Sequence, residues 1–300
     1  MKIILSRKGF DTTKRGKFNY GGPSPILKDE FGRKVLVSLP IPEFEYTKSG
    51  IKYGDLRYPC SQYRDMGELI EQWVSRFLDR RSLAHLDPDL DEGMFPRKPG
   101  WHGIFGQTGS AQGHLDKHKV GDGSLFLFYG AFRDAQLKQN RLVGVGRMQH
   151  VMWGWLYVGQ KHLLGKLQPV PKWMAYHPHL TDPNQKNNTI YEAAEAFDEF
   201  PGFGVFRTYH EGLRLTAPDR SCSVWKLPRW MAPKDGRTAL TYHPNPKAWD
   251  VDSDPDSVLL KTKSPGQEYV LDSDYAEEAT SWAKEKIRLG LQPNSLAIGV

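Results

Sequence analysis

A group of charged residues follows the first apolar run of the sequence. Arg7 and Lys8 precede Gly9, and Asp11 comes two residues after it. A guanidinium fork and an ammonium group beside a glycine turn suit the binding of a phosphate. The same residues would equally suit an Arg–Asp ion pair that fixes the end of a strand. No Gly-Lys-Ser or Gly-Lys-Thr follows, so the pattern is not that of a Walker loop.

Imidazole and carboxylate side chains alternate in residues 85–91. His85, Asp87 and Asp89 are each separated by one residue. Pro88 favours an extended backbone at the residue before it, and alternate side chains of an extended segment point to one face. Such a face suits proton transfer by His85 and Asp87, or a divalent metal held by Asp87 and Asp89. The spacing is also typical of an Asp-Pro turn whose carboxylates are hydrogen-bonded.

Two further histidines, His177 and His179, flank a proline in a long predicted loop at residues 169–188. Loops of this length within a domain are often functional, although a single buried histidine bonded to the backbone is the commoner outcome. Added to His85 and Asp87, one of these imidazoles would complete the two-histidine, one-carboxylate ligand set of an iron oxygenase. His177 is therefore a catalytic candidate, and His179 is a candidate for binding substrate.

Two features of the sequence argue against iron. Asp89 and Asp91 add hard carboxylates to the same stretch, which favours magnesium or simple hydrogen bonding. An oxygenase that uses 2-oxoglutarate also needs an arginine for the cosubstrate carboxylate, and after His179 the nearest candidate is the distant Arg207. We therefore expect no bound iron. The sequence leaves the cofactor open, and a divalent metal at Asp87 and Asp89 is the candidate that it offers.

Other polar residues are candidates for binding a base or a nucleoside. Gln107 and His114 flank a short predicted helix, where an amide beside an imidazole could read a base edge or orient a water. Asn188 and Tyr191 stand where a predicted strand begins, and Ser6 ends the first apolar run. A lone histidine on a helix is more often structural, and asparagine before a strand is also ordinary turn chemistry.

Short strands must position these candidates, because 29 Gly and 21 Pro divide the chain into many brief elements. Apolar runs predict strands at residues 2–5 and 35–39, which we expect to pair with each other, and a buried strand at 124–132. Strands at 142–148 and 151–158 follow it as an antiparallel meander. The predicted fold is α+β, with a central mixed or antiparallel sheet, few helices and long loops.

Apolar residues recur with helical spacing in two segments. They predict one long helix over residues 66–79 and a C-terminal helix, docked on the body, at about 274–289. Residues 231–272 are rich in Pro, Asp and Lys and have weak periodicity, which is typical of an extension over the surface. We therefore expect one domain at 1–230 and a C-terminal extension at 231–300.

The composition is that of a globular protein, with 39% hydrophobic and 25% charged residues. The net charge of +6 is concentrated at the N-terminus, which suits contact with DNA or a nucleotide phosphate and equally suits a solvated basic face. Cys60 and Cys222 are the only cysteines. Because there is no disulfide framework, no signal-peptide core and no run of about 18 apolar residues, we expect a cytoplasmic protein without a membrane span.

These motifs and others between them resemble a known family, called nucleotide modification associated domain, type three. The resemblance extends from Met1 to about Trp230. It rests on the segments SRKGFD (6–11), GGPSPI (21–26), SLPIP (38–42), HLDPDL (85–90), FGQ (105–107), GDGSLFLFYGAF (121–132), HVMWGWLYVG (150–159) and HPH (177–179). The chain departs from the pattern at Ala131, where Trp is expected, and by an insertion at 14–19.

The resemblance implies a role in making or handling modified nucleotides, in phage or bacterial systems of DNA modification and hypermodification. The implied partners are a nucleotide or DNA, together with other enzymes of such a pathway. An enzyme is favoured over a non-catalytic reader of modified bases, because the candidates combine anion binding with proton transfer. An iron and 2-oxoglutarate base oxygenase is the second alternative. The catalytic candidates, which we expect to converge on one basic pocket, are Arg7, Lys8, Asp11, His85, Asp87 and His177.

Overall fold

The computed structural model describes residues 1–12, 14–15, 18–19, 21–43, 49–58, 62–74, 78–139, 141–167, 169–181, 185–252, 254–263 and 268–292. Within them the α-helices are α1 (Met66–Trp73), α2 (Gly109–Lys117), α3 (Pro178–Thr181) and α4 (Ala276–Leu291). The strands are β1 (Ile3–Arg7), β2 (Lys14–Arg15), β3 (Phe18–Asn19), β4 (Ser24–Lys28), β5 (Lys34–Leu36), β6 (Ile41–Pro42), β7 (Ala84–His85), β8 (Ile104–Gln107), β9 (Leu125–Lys138), β10 (Arg141–Leu163), β11 (Thr189–Ala193), β12 (Ala196–Phe197), β13 (Phe200–Pro201), β14 (Phe203–Val205), β15 (Val224–Pro228), β16 (Trp249–Asp250), β17 (Ser257–Lys261) and β18 (Glu268–Val270). Part of the insertion at 14–19 lies outside the described residues, as does Cys60.

One mixed sheet organises the described part of the chain. Its strand order is β18–β1–β9–β10–β11–β8, with β14 paired to β10, β4 paired to β9 and β5 paired to β4. β1 and β4 run parallel to β9, whereas the other pairs in the sheet are antiparallel. The predicted α+β fold with a mixed sheet, few helices and a C-terminal helix is therefore confirmed.

The hairpin of β9 and β10 is the frame of this sheet. All side chains from Leu125 to Phe132 are buried, because layers of structure cover both faces of β9. Phe126 and Phe128 project to one face, where their rings stack with centroids 5.9 Å apart. β10 runs without interruption where the sequence predicted two strands, since a register shift between Val145 and Gln149 absorbs the irregularity.

The second predicted strand does not pair with the first, so that expectation was wrong. β5 pairs instead with β4, across a turn in which the Asp29 carboxylate accepts hydrogen bonds from the amides of Phe31 and Arg33 at 2.9 and 2.8 Å. Gly32 in this turn has a φ of 77°, a left-handed value that glycine adopts without strain. A tight turn closes more readily than a distant contact, which places β5 beside β4.

The helix α1 begins where predicted and ends earlier than predicted. Its first turn is capped by Asp65, whose carboxylate accepts from the Glu68 amide at 3.0 Å, and its apolar stripe lies in a core that also contains Leu27 and Val35. The helix ends at Trp73, and residues 75–77 lie outside the described residues. Leu78 still packs against the same core without being helical, so the apolar spacing continued past the end of the helix.

The C-terminal part of the chain adds both a helix and a strand to this body. α4 buries Trp282, Ala283 and Ile287 in the same core as β1, as predicted for a docked helix. β18 pairs with β1 and forms an edge of the central sheet. The division into a domain and an extension at residue 230 stays a prediction. Among the described helices, none is long and apolar enough to cross a membrane.

We predict that Ile287→Ala destabilises the protein by about 2–5 kcal/mol, because it leaves a cavity where a fully buried side chain packs beside β1. Ser281→Ala is the matched control: it lies on the exposed side of the same helix, and its effect should stay within about 0.5 kcal/mol. Urea denaturation followed by circular dichroism measures both. Equal stabilities of the two variants would contradict the docking of α4.

Candidate functional site

A cavity of about 240 Å³ lies where β1, β8 and the segment after β7 come together. β1 ends there at Arg7, which Lys8 follows directly, and the alternating His and Asp residues line the same cavity. Seven of the predicted site residues line this cavity: Arg7, Lys8, His85, Asp87, Asp89, Gln107 and His179. The structure thus brings together residues that are more than one hundred positions apart in the sequence.

The Asp87 carboxylate lies at the centre of a group of three imidazoles. Its Oδ1 accepts a hydrogen bond from the Gly106 amide at 2.7 Å and lies 3.3 Å from His177 Nε2. Its Oδ2 lies 3.4 Å from His179 Nε2 and 3.8 Å from His85 Nε2. Burial by itself would raise the pKa of the Asp87 carboxyl, but the three imidazoles hold that pKa well below its ordinary value. The group therefore contains an ionised carboxylate.

The orientation of the His179 ring is fixed by Asn188. The Asn188 Nδ2 donates to the His179 carbonyl at 2.8 Å, so its Oδ1 faces His179 Nδ1 as an acceptor at 2.7 Å. His179 Nδ1 must then carry a proton, and Nε2 is the atom turned toward Asp87. The ring packs against Gly106, where an added Cβ would lie 2.3 Å from His179 Cδ2. A side chain at Gly106 would displace the imidazole.

His177 lies behind the carboxylate rather than in the cavity wall. It is fully buried, and its Nδ1 accepts from the His179 amide at 3.4 Å, so Nε2 is the protonated nitrogen of the neutral ring. Burial lowers the pKa of His177, although the neighbouring Asp87 opposes that shift. The neutral imidazole thus faces Asp87 Oδ1 at 3.3 Å without lining the cavity.

Asp89 is not part of the imidazole group. Both of its carboxylate oxygens bind Arg97 at 2.6 Å, and the Tyr176 hydroxyl donates to the same carboxylate. Asp91 binds Arg207 at 2.6 Å in a similar way. The structure thus places the alternation of His85 and Asp87 on the cavity but commits the next two carboxylates to arginines. Asp89, predicted as a metal ligand with Asp87, is used in an ion pair.

The two basic residues at the end of β1 have different partners. The Arg7 guanidinium binds Asp11 at 2.5 Å, and Asp11 also accepts from the Ala131 amide at 3.1 Å. This is the strand-end ion pair that the sequence left open as an alternative to a phosphate site. Lys8 turns to the opposite side of the strand, as adjacent residues of a strand do. Its Nζ lies 3.1 Å from a carboxylate oxygen of Glu268.

Glu268 is a site residue that sequence reasoning missed. It is buried on β18, opposite Ser6 in register, and the same oxygen that contacts Lys8 accepts from Gln107 Nε2 at 2.5 Å. One carboxylate thus holds two side chains that line the cavity. The signal in the sequence was a single acidic residue at the start of the apolar run 268–271, in a segment interpreted as an extension.

The remaining predicted residues lie away from the cavity wall. Ser6 is fully buried within β1, and Tyr191 is buried with its hydroxyl bonded to Gln112. His114 lies near Thr241 and stacks on Tyr242 with ring centroids 4.3 Å apart. Burial, helped by neighbouring positive charge, lowers the pKa of His114 to about 4. These three residues are not brought to the imidazole group, whereas Asn188 supports it through its bond to His179.

A basic two-stranded ribbon continues from the central sheet beyond Asp134, the last residue of β9 that pairs with β4. Its strands are the distal parts of β9 and β10, which pair from Asp134–Val145 to Lys138–Arg141. Leu142 anchors the ribbon in the core around α1, while Leu137 and Met148 are exposed. The exposed basic residues of the ribbon are Lys138, Arg141 and Arg147. This surface has the charge that a phosphate backbone would require.

The family model of nucleotide modification associated domain 3 matches residues 2–272. The chain belongs to this family. No curated protein and no solved structure matches the chain. The match extends past Trp230, where the sequence motifs end, and covers β18 with Glu268. The family associates the chain with nucleotide modification, and the cavity and its imidazole group lie entirely within the matched residues.

We predict that Arg97→Met destabilises the protein by about 3–5 kcal/mol, because it leaves the buried Asp89 charge without its partner. Burial already raises the pKa of Asp89. Adding Asp89→Asn to the same variant removes that charge and should recover a large part of the loss. Urea denaturation of the two single variants and the double variant gives the coupling. Strictly additive effects would contradict a structural role for this pair.

Proposed function

We propose that the chain is an enzyme that modifies a nucleotide or a base of DNA, and that the reaction takes place in the cavity at the end of β1. The observation that supports this most is the convergence of His85, Asp87 and His179 in one cavity that Lys8 and Gln107 also line. Imidazoles beside an ionised carboxylate can accept and donate protons near neutral pH. A family associated with nucleotide modification supplies the class of substrate.

The size and lining of the cavity suit a single base or nucleoside. Its volume of about 240 Å³ is slightly below the roughly 300–1,000 Å³ of pockets for drug-sized ligands. Trp153, Leu39 and Phe206 provide apolar surface against which a flat ring can pack. Lys8 and Gln107 provide donors at one side, so a base edge or a phosphate can be bound there. A base of double-stranded DNA would have to leave the helix to enter.

We assign supporting roles to the other predicted residues. The ion pair of Arg7 and Asp11 fixes the end of β1, and His177 orients the carboxylate of Asp87. The basic ribbon favours DNA over a free nucleotide as the natural substrate, because it offers positive charge outside the cavity. We expect the protein to act in the cytoplasm, within a bacterial or phage pathway of DNA modification that includes other enzymes.

A non-catalytic reader of modified bases is the competing proposal. The same cavity and the same basic ribbon would bind a flipped base without changing it. The two proposals differ in turnover alone, so the composition of nucleosides is the measurement that separates them. Three imidazoles around one buried carboxylate exceed what recognition of a base requires, and for this reason we favour the enzyme.

We predict that His85→Ala abolishes a change in nucleoside composition that the wild-type protein produces. Mass spectrometry of nucleosides from the DNA and the nucleotide pool of cells expressing each protein measures this. His210→Ala is the matched control, because that histidine is half-buried and does not line the cavity, and its Nε2 lies 3.4 Å from the Gln292 carbonyl at the end of α4. It should behave as the wild type. Identical profiles for all three proteins, together with binding to DNA by the purified wild type, would favour the reader.

We predict that Arg141→Glu with Arg147→Glu weakens binding to double-stranded DNA. The slope of log K against log salt should fall by about 1 for each phosphate that the ribbon no longer neutralises. Lys261→Glu is the control for charge, since Lys261 is equally exposed but lies on β17, in another sheet. Fluorescence anisotropy with a labelled duplex, at several salt concentrations, measures the slope. An unchanged slope in the ribbon variant would exclude the ribbon as the surface that binds DNA.

A further inference from the structure

We propose that His85 Nε2, Asp87 Oδ2 and His179 Nε2 bind one divalent transition-metal ion on the wall of the cavity. Among the described residues, these three ligand atoms all lie within 4.8 Å of one another. The proposal deepens the function proposed above and rests on it for what the ion does, although not for whether the ion binds. His177 and Asn188 act as positioning residues for two of the ligands.

The separations of the ligand atoms are close to those around a metal. Oδ2 of Asp87 lies 3.4 Å from His179 Nε2 and 3.8 Å from His85 Nε2. Ligands that lie about 2.1 Å from a metal are separated by roughly 3.0 Å in octahedral and 3.4 Å in tetrahedral geometry. Both distances exceed the length of a good hydrogen bond, yet only small side-chain rotations would bring the atoms to a common ion.

The hydrogen bonds around His179 require a cation between it and Asp87. Because His179 Nδ1 donates to Asn188 Oδ1 at 2.7 Å, a neutral ring presents the lone pair of Nε2 to Asp87 Oδ2. Two acceptors would then face each other, which is unfavourable unless a cation lies between them. That cation is either an extra proton on the ring or a metal ion. A metal ion would also be bound by His85 Nε2, which lies 3.8 Å from the same carboxylate oxygen, whereas a proton on His179 would not engage it.

The second carboxylate oxygen of Asp87, Oδ1, has the kind of partners that orient the ligands of a metal site. Asp87 Oδ1 accepts from the Gly106 amide and faces the protonated nitrogen of the buried His177, which leaves Oδ2 for an ion. The ligands of bound metals are regularly oriented by hydrogen bonds to neighbouring groups. A histidine ligand usually makes such a bond through the ring nitrogen that does not bind the metal. Asn188 holds His179 in this way.

The kind of ligand atom selects the kind of ion. Two imidazole nitrogens and one carboxylate oxygen suit first-row ions such as Fe²⁺, Mn²⁺, Co²⁺ or Zn²⁺ better than Mg²⁺ or Ca²⁺, which prefer oxygen. Asp89 and Asp91, the hard carboxylates that argued for magnesium from sequence, are bound to Arg97 and Arg207. Three protein ligands leave positions for a water or a substrate atom, and all three line the cavity.

The test measures binding of the ion itself. The full-length protein, with any histidine tag removed, is stripped with a chelator and titrated with Co²⁺ and with Zn²⁺. We expect about one equivalent per chain by elemental analysis, a visible Co²⁺ absorption band, and a midpoint of thermal unfolding that rises with metal concentration. Asp87→Asn and His179→Gln should lose all three signals. A wild-type protein that is folded but binds neither ion would overturn the proposal in favour of a protonated His179.

Two further variants show that the signal comes from this group. His162→Gln alters another histidine paired with a carboxylate, at 2.7 Å from Glu192, and should bind Co²⁺ like the wild type. Asn188→Ala should weaken the affinity about 10–100-fold while the metal-free protein remains folded. Undiminished binding by Asp87→Asn would show that the ion binds elsewhere and would refute the site. Metal binding without any change in nucleosides would instead count against the proposed function alone.

Discussion

The buried carboxylate of Asp87 is the constraint on which the arrangement of the site depends. A charge removed from water is costly unless several donors or cations surround it, so the chain must bring partners to it from distant segments. β8 provides the Gly106 amide, the loop before α3 and α3 itself provide two imidazoles, and β7 provides the third. Each of these elements is held in place partly by the same oxygen atoms. The cavity wall therefore forms as a unit.

The other acidic residues near the cavity each form an ion pair with an arginine or a lysine. For this reason the imidazoles have Asp87 as their carboxylate partner. Arg97 neutralises Asp89, Arg207 contacts Asp91, and Lys8 is matched by Glu268. Arginine suits the buried position beside Asp89 because its planar fork binds both carboxylate oxygens at once. Without these pairs, several acidic groups would compete for the three histidines. The local chemistry is thus determined as much by the surrounding ion pairs as by the central group.

The fold class could be predicted from the sequence because it depends on local patterns. The continuous apolar run of β9 and the stripe of α4 each have one physical interpretation, a strand buried on both faces and a helix buried on one. The pairing of β5 could not be predicted, because it depends on which partner a turn brings close. The end of α1 could not be predicted from the sequence either, because Leu78 packs against the core although the helix has already ended.

Residues that line the candidate site could be selected from the sequence when their residue type alone was informative. They could not be selected when their role depends on which residues they contact. His85, Asp87 and His179 could be selected because imidazoles and carboxylates are rare in apolar surroundings. The sequence could not show that Asp89 differs from Asp87, because the difference is an ion pair with Arg97. Glu268 was missed for the same reason, because its partners Lys8 and Gln107 are separated from it by most of the chain. Spacing along a sequence carries no trace of such contacts.

The pairing of β18 with β1 joins two segments that are separated by most of the sequence. During synthesis, β1 leaves the ribosome long before β9, its parallel neighbour, and longer still before β18. The edges of β1 therefore remain unpaired until these partners have been synthesised. Contacts so distant in sequence form slowly, and a strand with unpaired edges can associate with other chains. Lys8 and Gln107 acquire their common carboxylate only once Glu268 has been synthesised, so a chain released before that residue has a cavity without this support.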